Sequence, residues 1–339
     1  MTMNTEPTPT PGCADLVYLS DLKLQPVRWL WQDRLASGTL SMISGVPGSG
    51  KTWVALAIAA ALSRGQVPYT GEACQLANVL YASMEHGSSE IIHPRFASLH
   101  GDPARFAVLR GAVSAPSTSF NLRDTSVLED ALQRTHARLL ILDSFPSHTG
   151  AGVDLQQPTE TLPILDNLAR LAERHRCCIL LICHLSKRGP ARSAVRSPGS
   201  IEISAALRTE FLAGSSPDAP TQTALLHVKS NLGPLAPPLD YRIGQAGNFY
   251  WTGLSNLTPE DLLAPRPTGA GLPKRKFAAQ WLRDYLQPGS QTQASIEVAA
   301  ERDGVCITTL RRAKFDIGVR SSKDGKSGAW SWTLPPAED

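Results

Sequence analysis

Residues Gly45-Val46-Pro47-Gly48-Ser49-Gly50-Lys51-Thr52 form a complete GxxxxGK[ST] pattern. Glycines at this spacing let the backbone curl until successive N–H groups face one point. A helix that begins at the end of the loop adds its positive N-terminal end, and the two together hold phosphate oxygens. Lys51 would reach the β and γ phosphates of a nucleotide, and the Thr52 hydroxyl would ligate Mg²⁺. An apolar run precedes the loop and an Ala-rich stretch follows it, which is the strand, loop and helix setting that the pattern needs.

A triphosphate site also needs carboxylates. The run Arg138-Leu139-Leu140-Ile141-Leu142-Asp143-Ser144 is an apolar strand ending in Asp143, the Walker B arrangement that holds the magnesium shell. In Asn78-Val79-Leu80-Tyr81-Ala82-Ser83-Met84-Glu85-His86, Glu85 falls just past another strand end, where a carboxylate can orient the attacking water. His184, in His184-Leu185-Ser186-Lys187, closes a further apolar run and is placed to sense the γ-phosphate by hydrogen bond. Ligands of such sheets bind at the carboxyl ends of the strands.

These residues require a framework of buried strands. Apolar β-type runs predict strands at Leu40–Ser44, Ala77–Ala82, Phe106–Leu109, Leu139–Leu142, Cys178–Cys183 and Thr223–Val228. Helical spacing predicts helices at Thr52–Ser63, Val127–Thr135 and Thr161–Arg174. Continuous apolar strands separated by helices imply an α/β fold with a mostly parallel central sheet covered on both faces. The expected organisation is a disordered Thr/Pro-rich tail at 1–18, an ATPase domain at 19–254, a Pro/Gly-rich linker at 255–273 and a small module at 274–335.

With 339 residues and 42% hydrophobic content the chain can bury a large core. Its six cysteines include no CxxC pair, so the spacing excludes a zinc site and suits a reducing compartment. A basic start followed by an apolar stretch is missing from the N-terminus, and no run reaches membrane-spanning length, so a soluble cytoplasmic protein with no membrane partner is expected.

The C-terminal segment differs in charge. From Lys274 to Lys326, eleven Lys/Arg stand against six Asp/Glu, whereas the whole chain carries only +3. An amphipathic helix is expected at 276–286, with Phe277, Trp281, Leu282 and Tyr285 on its apolar face. Further helices are expected at Ile296–Asp303 and Ile307–Ile317, then a hairpin over Arg320–Leu334 turning at Asp324-Gly325 and Gly328. The last helix presents Arg311, Arg312 and Lys314 as a DNA-reading helix would. The whole resembles a winged helix-turn-helix domain, a form that also mediates protein contacts.

The motifs GVPGSGKT, LYASME, LLILDS, ICHLSK, Gly199-Ser200 followed by Arg208, and Lys229-Ser230-Asn231-Leu232-Gly233 appear in this order. In that order they resemble the RecA-like hexameric ATPases, especially the plasmid replicative helicases of the RepA type. The similarity runs from about Leu24 to Tyr250. It implies ATP and Mg²⁺ as cofactors, Glu85 as catalytic glutamate and His184 as the coupling residue. Arg208 would be inserted into a neighbouring subunit's site, with Lys229 assisting at the same interface. Asn231 stands where the DnaB-type helicases have an arginine, so the finger role falls to Arg208. The basic segment 187–200 corresponds to a channel loop that contacts single-stranded DNA, through Lys187, Arg188, Arg192 and Arg196.

The resemblance implies a homo-oligomeric ring, a hexamer, acting as a DNA-dependent helicase or translocase of a plasmid, phage or mobile element, on single- or double-stranded DNA. The alternative is an ATP-switched DNA-binding regulator or loader that does not unwind. A small-molecule kinase would leave the basic module unexplained.

Overall fold

The computed structural model describes residues 16–83, 88–110, 120–150, 152–155, 157–185, 201–216, 221–244, 248–263, 274–287, 289–323 and 330–335. It divides into two compact units, Met1–Leu263 and Ala264–Asp339.

In the first unit a short antiparallel pair, β1 (Trp29–Trp31) and β2 (Leu35–Ala36), precedes β3 (Leu40–Gly45) and α1 (Lys51–Ser63). There follow β4 (Val79–Ser83), α2 (His93–Ser98), β5 (Phe106–Leu109), α3 (Ser126–Thr135), β6 (Leu139–Asp143), α4 (Phe145–His148), α5 (Pro158–His175) and β7 (Cys178–His184). The unit closes with α6 (Ile201–Ala206), β8 (Thr209–Ser215), β9 (Thr223–Ser230), β10 (Leu239–Ile243), β11 (Phe249–Leu254) and α7 (Pro259–Leu263).

Nine strands form one sheet in the order β11-β10-β9-β8-β3-β7-β6-β4-β5. From β8 to β5 all neighbours are parallel, and from β8 to β11 all are antiparallel. The strand expected at Thr223–Val228 is therefore correctly a strand, but it does not belong to the parallel set. The connection from Ser215 to Thr223 is too short for the crossover that a parallel neighbour requires, and a hairpin results.

The strands bury both faces. On one face Val79, Tyr81, Ile141, Leu180 and Phe211 pack against α1, which is apolar around nearly its whole circumference and buried accordingly. On the other, Leu140, Leu142 and Leu181 meet Leu128 and Leu132 of α3 and Ile164, Leu165, Leu168 and Leu171 of α5. The i, i+4, i+7 spacing within α5 is what puts those side chains in one stripe. Residues 255–263, expected in the linker, include α7 instead. Leu257, Leu262 and Leu263 cover Leu212, Ala224 and Leu226 and so extend the first unit.

The second unit contains α8 (Lys274–Leu286), β12 (Gln291–Thr292), α9 (Gln293–Arg302), α10 (Ile307–Asp316), β13 (Arg320–Lys323) and β14 (Trp330–Thr333). Its three strands form an antiparallel sheet in the order β12-β14-β13. The core is Ala278, Leu282, Leu286, Ile296, Leu310 and Trp332. Phe277, expected on the buried face of the first helix, is 60% exposed. The buried stripe runs through Ala278, Leu282 and Leu286, one position round the helix, and Trp281 and Tyr285 flank it. The expected tail at residues 1–15 and the hairpin turn at 324–329 lie outside the described residues. Among the described residues no helix is long and apolar enough to cross a membrane.

Two buried histidines make this fold pH-sensitive. His148 and His227 stack on Phe120 and Phe211, with ring centroids 4.7 Å apart in each pair. Burial lowers both imidazoles from 6.5 to about 4. Between these values the unfolded chain binds protons that the native chain does not. Their contribution is therefore complete above the unfolded value and is lost as pH falls through the window, on the order of 3 kcal/mol for one histidine. Urea unfolding midpoints should fall between about pH 6.5 and about pH 4.5. In His148→Phe, which keeps the ring contact, the slope should drop by about one proton; an unchanged slope would remove His148 from this account.

Candidate nucleotide site

The glycine loop leaves β3 in close contact with other strands. A Cβ on Gly45 would lie 2.2 Å from the Ala213 carbonyl oxygen of β8 and 2.7 Å from Ser49 Oγ, so no side chain fits. Gly48 and Gly50 have φ of +80° and +83°, in the left-handed region that glycine enters without strain. Val46 and Pro47 form the outer bend, and Ser49 is buried beneath it.

Lys51 is the first residue of α1 and is buried. Its Nζ donates to the carbonyls of Gly45 and Val46 at 3.0 Å each. Burial lowers the ammonium pKa, and Asp143 opposes that shift. The charge is thus folded over the loop, where a phosphate would be a far stronger acceptor than two carbonyls.

Thr52 Oγ1 donates to Asp143 Oδ2 at 2.7 Å, so the two expected magnesium residues are in contact although 91 positions apart. Tyr81 of β4 donates its hydroxyl to the same oxygen at 2.9 Å. The sequence reading missed Tyr81. The signal was present, since strand alternation puts Tyr81 on the same face as Ser83, the last residue of its strand. Among the described residues no cluster of three or more His, Cys, Asp or Glu could hold a metal unaided. A hydroxyl beside one carboxylate does fit Mg²⁺, which binds proteins through one or two such groups and takes its remaining ligands from nucleotide phosphates and water.

Strand register completes the row. Gly45 pairs with His184 across β3 and β7, and Ser83 pairs with Asp143 across β4 and β6. His184 is therefore level with the start of the phosphate loop, and it is exposed. Glu85, two positions beyond Ser83, lies outside the described residues, as do Lys187, Arg188, Arg192 and Arg196.

Arg208 and Lys229 are elsewhere. The Arg208 N–H donates to the carbonyl of Leu40, the first residue of β3, whereas the loop leaves from Gly45, the last. Five residues of rise separate them by roughly 16 Å along the sheet. The Arg208 side chain is exposed. Lys229 Nζ donates to the Leu207 carbonyl at 2.9 Å and to that of Ser204, and it lies 3.7 Å from Glu210 Oε1. Within one chain neither cation joins the nucleotide site.

In the second unit the three expected DNA-reading side chains differ. Arg311 is paired with Glu297 at 2.9 Å. Lys314 lies 4.1 Å from the Trp332 ring centre and donates to Ser321. Arg312 is exposed on α10.

A glycine-curled loop with its lysine, and an acid at the end of β6 touching the loop threonine, make this a P-loop nucleotide-binding protein of the α/β class. The family description that matches residues 11–190, more than half the chain, reads "AAA domain", and the chain belongs to that family. No curated protein matches it. Among solved structures, the crystal structure of the RadB recombinase aligns with a TM-score of 0.43 and 18% identity, over 63% of this chain and 90% of that one.

Lys51→Ala should weaken ATP binding by at least about 100-fold, as loss of a charge-assisted contact to phosphate requires. Asp143→Asn should leave metal-free binding of a fluorescent ATP analogue within about threefold while removing its response to magnesium. Nucleotide uptake by Lys51→Ala at the unmodified affinity would refute the site.

Proposed function

We propose that the chain is a DNA-dependent, ATP-hydrolysing ring motor, a helicase or translocase, whose nucleotide site is completed by a neighbouring subunit. The observation that carries this reading is the placement of Arg208. The loop, Lys51, Thr52 and Asp143 assemble in one chain at the carboxyl ends of the parallel strands, yet the exposed arginine stands at the opposite ends of those strands. An arginine there can meet phosphates only across a subunit boundary, and a head-to-tail arrangement repeats that contact from subunit to subunit, forming a ring where the rotation closes. In this reading Lys51 neutralises the phosphates and Glu85 orients the attacking water, while Thr52 and Asp143 would hold a magnesium ion, whose charge would offset that of the phosphates. His184, beside the loop, passes the state of the site to the basic segment 187–200, which contacts single-stranded DNA. A closed hexamer is the proposed assembly, with the chain serving a plasmid, phage or mobile-element replication system.

The second unit is proposed to act as a winged helix on duplex DNA, with α10 in the groove and the β13–β14 hairpin as the wing. That unit also favours a second reading, since a motor on single strands has no need of a duplex-binding module. An ATP-timed loader or regulator would use it to find its site. Strand displacement by the purified chain separates the two.

Arg208→Ala should bind ATP within about threefold of the unmodified chain and hydrolyse it about 10³-fold more slowly. Mixing it with Lys51→Ala should restore turnover, because a Lys51→Ala subunit still offers its Arg208 to an intact neighbouring loop. A mixture no more active than its components sinks the ring.

Arg312→Ala should weaken duplex binding at all sequences and reduce the salt slope by about one. Arg311→Ala, already engaged with Glu297, should do less.

A further inference from the structure

One buried hydroxyl reaches the phosphate loop from the antiparallel part of the sheet. Tyr241 of β10 is fully buried and donates its hydroxyl to the carbonyl of Ser49. Its ring stacks on Phe249 at 5.4 Å and meets Trp251 edge-on at 6.2 Å. Ile243, two residues on and on the same strand face, closes over Gly50. A Cβ there would lie 2.6 Å from Ile243 Cδ1 and 3.3 Å from Tyr241 Cε2.

Helix α1 does not use the Ser49 carbonyl for its first bond. The Val54 N–H takes the Gly50 carbonyl at 2.9 Å, and Tyr241 takes that of Ser49. In a planar trans peptide the C=O and the next N–H point in opposite directions. Fixing the Ser49 carbonyl toward β10 therefore turns the Gly50 N–H away from β10. We propose that Tyr241 is a positioning residue of the nucleotide site, which aims the Gly50 amide at phosphate by anchoring the Ser49 carbonyl. This rests on the nucleotide reading above. An aromatic cluster needs only a ring at this position, and a hydroxyl buried there is costly unless paired. Its partner is a loop carbonyl. Burial also raises the phenol pKa, so the donor keeps its proton at neutral pH.

The test compares two variants of the full chain, with MgATP and inorganic tripolyphosphate as probes. Tyr241→Phe keeps the ring and should weaken both probes by a common factor of about five to ten, the worth of one hydrogen bond. The loss should appear in KM for ATP rather than in kcat. Phe249→Leu loosens the same cluster but keeps the hydroxyl. It should lower the melting temperature at least as much while leaving both affinities within about twofold of the unmodified chain. Unchanged binding by Tyr241→Phe overturns the proposal, as does a loss confined to ATP, which would mean a nucleoside contact. Affinity falling in step with melting temperature in both variants reduces Tyr241 to packing. If the unmodified chain binds neither probe, the nucleotide reading itself fails.

Discussion

The closeness with which the phosphate loop lies against its own sheet governs the rest of the site. At Gly45 the loop backbone comes so near the Ala213 carbonyl of β8 that a single methyl would not fit, and at Gly50 it meets Ile243 and Tyr241 of β10. Glycine here does two things: it permits the left-handed turns, and it brings the backbone down onto the strands. The amides are then fixed by neighbours as well as by their own dihedrals. Binding to amides already oriented avoids the entropy of ordering a flexible loop.

A second constraint is the treatment of buried charge. An unpaired ion in the interior is prohibitively costly, so each one found there fixes the local geometry. Lys51 turns onto two loop carbonyls. Glu210 takes Lys229 and the Ser204 hydroxyl, tying β8, β9 and α6 together at the strand ends away from the loop. Arg34, its pKa lowered by burial to about 10, donates to the Pro237 carbonyl and lies over Trp31, which secures the chain entering β10. The strand ends beside the phosphate loop and the opposite strand ends are each held by polar contacts, with an apolar body between them. Residues at the two ends therefore do not meet within one chain.

Local pattern made much of this legible. Near-continuous apolar runs located β3, β4, β5, β6 and β7 to within two residues at each end, because a strand buried on both faces leaves no other use for such a run. Helices α3 and α5 were visible from the 3.6-residue period, and α1 from the Ala-rich run that follows the glycine loop. The strands β8, β10 and β11 were not read, since Glu210, Asp240, Arg242 and Gly253 interrupt their apolar character, and the pair β1–β2, of three and two residues, is too short to show a pattern. Glu210 is acceptable in a strand only because Lys229 and Ser204 satisfy it, and that pairing is invisible in the local sequence. Phe277 was read as core for a similar reason. Helical period fixes which residues share a stripe, but which of two adjacent stripes is buried depends on what α10 and β14 bring against it.

What the sequence determined alone was the chemistry at strand ends: glycines and lysine in a fixed spacing, and an acid after an apolar run. These signals are local because curling a loop and ending a strand are local acts. Only the tertiary structure decided which distant groups complete that chemistry. Tyr81 and Thr52 converge on one oxygen of Asp143, and Tyr241, 192 positions after Ser49, takes the loop carbonyl. Arg208 and Lys229 are kept away from the loop by the length of β3. Contacts of that kind follow from strand order and register, and these were settled by packing across the whole sheet.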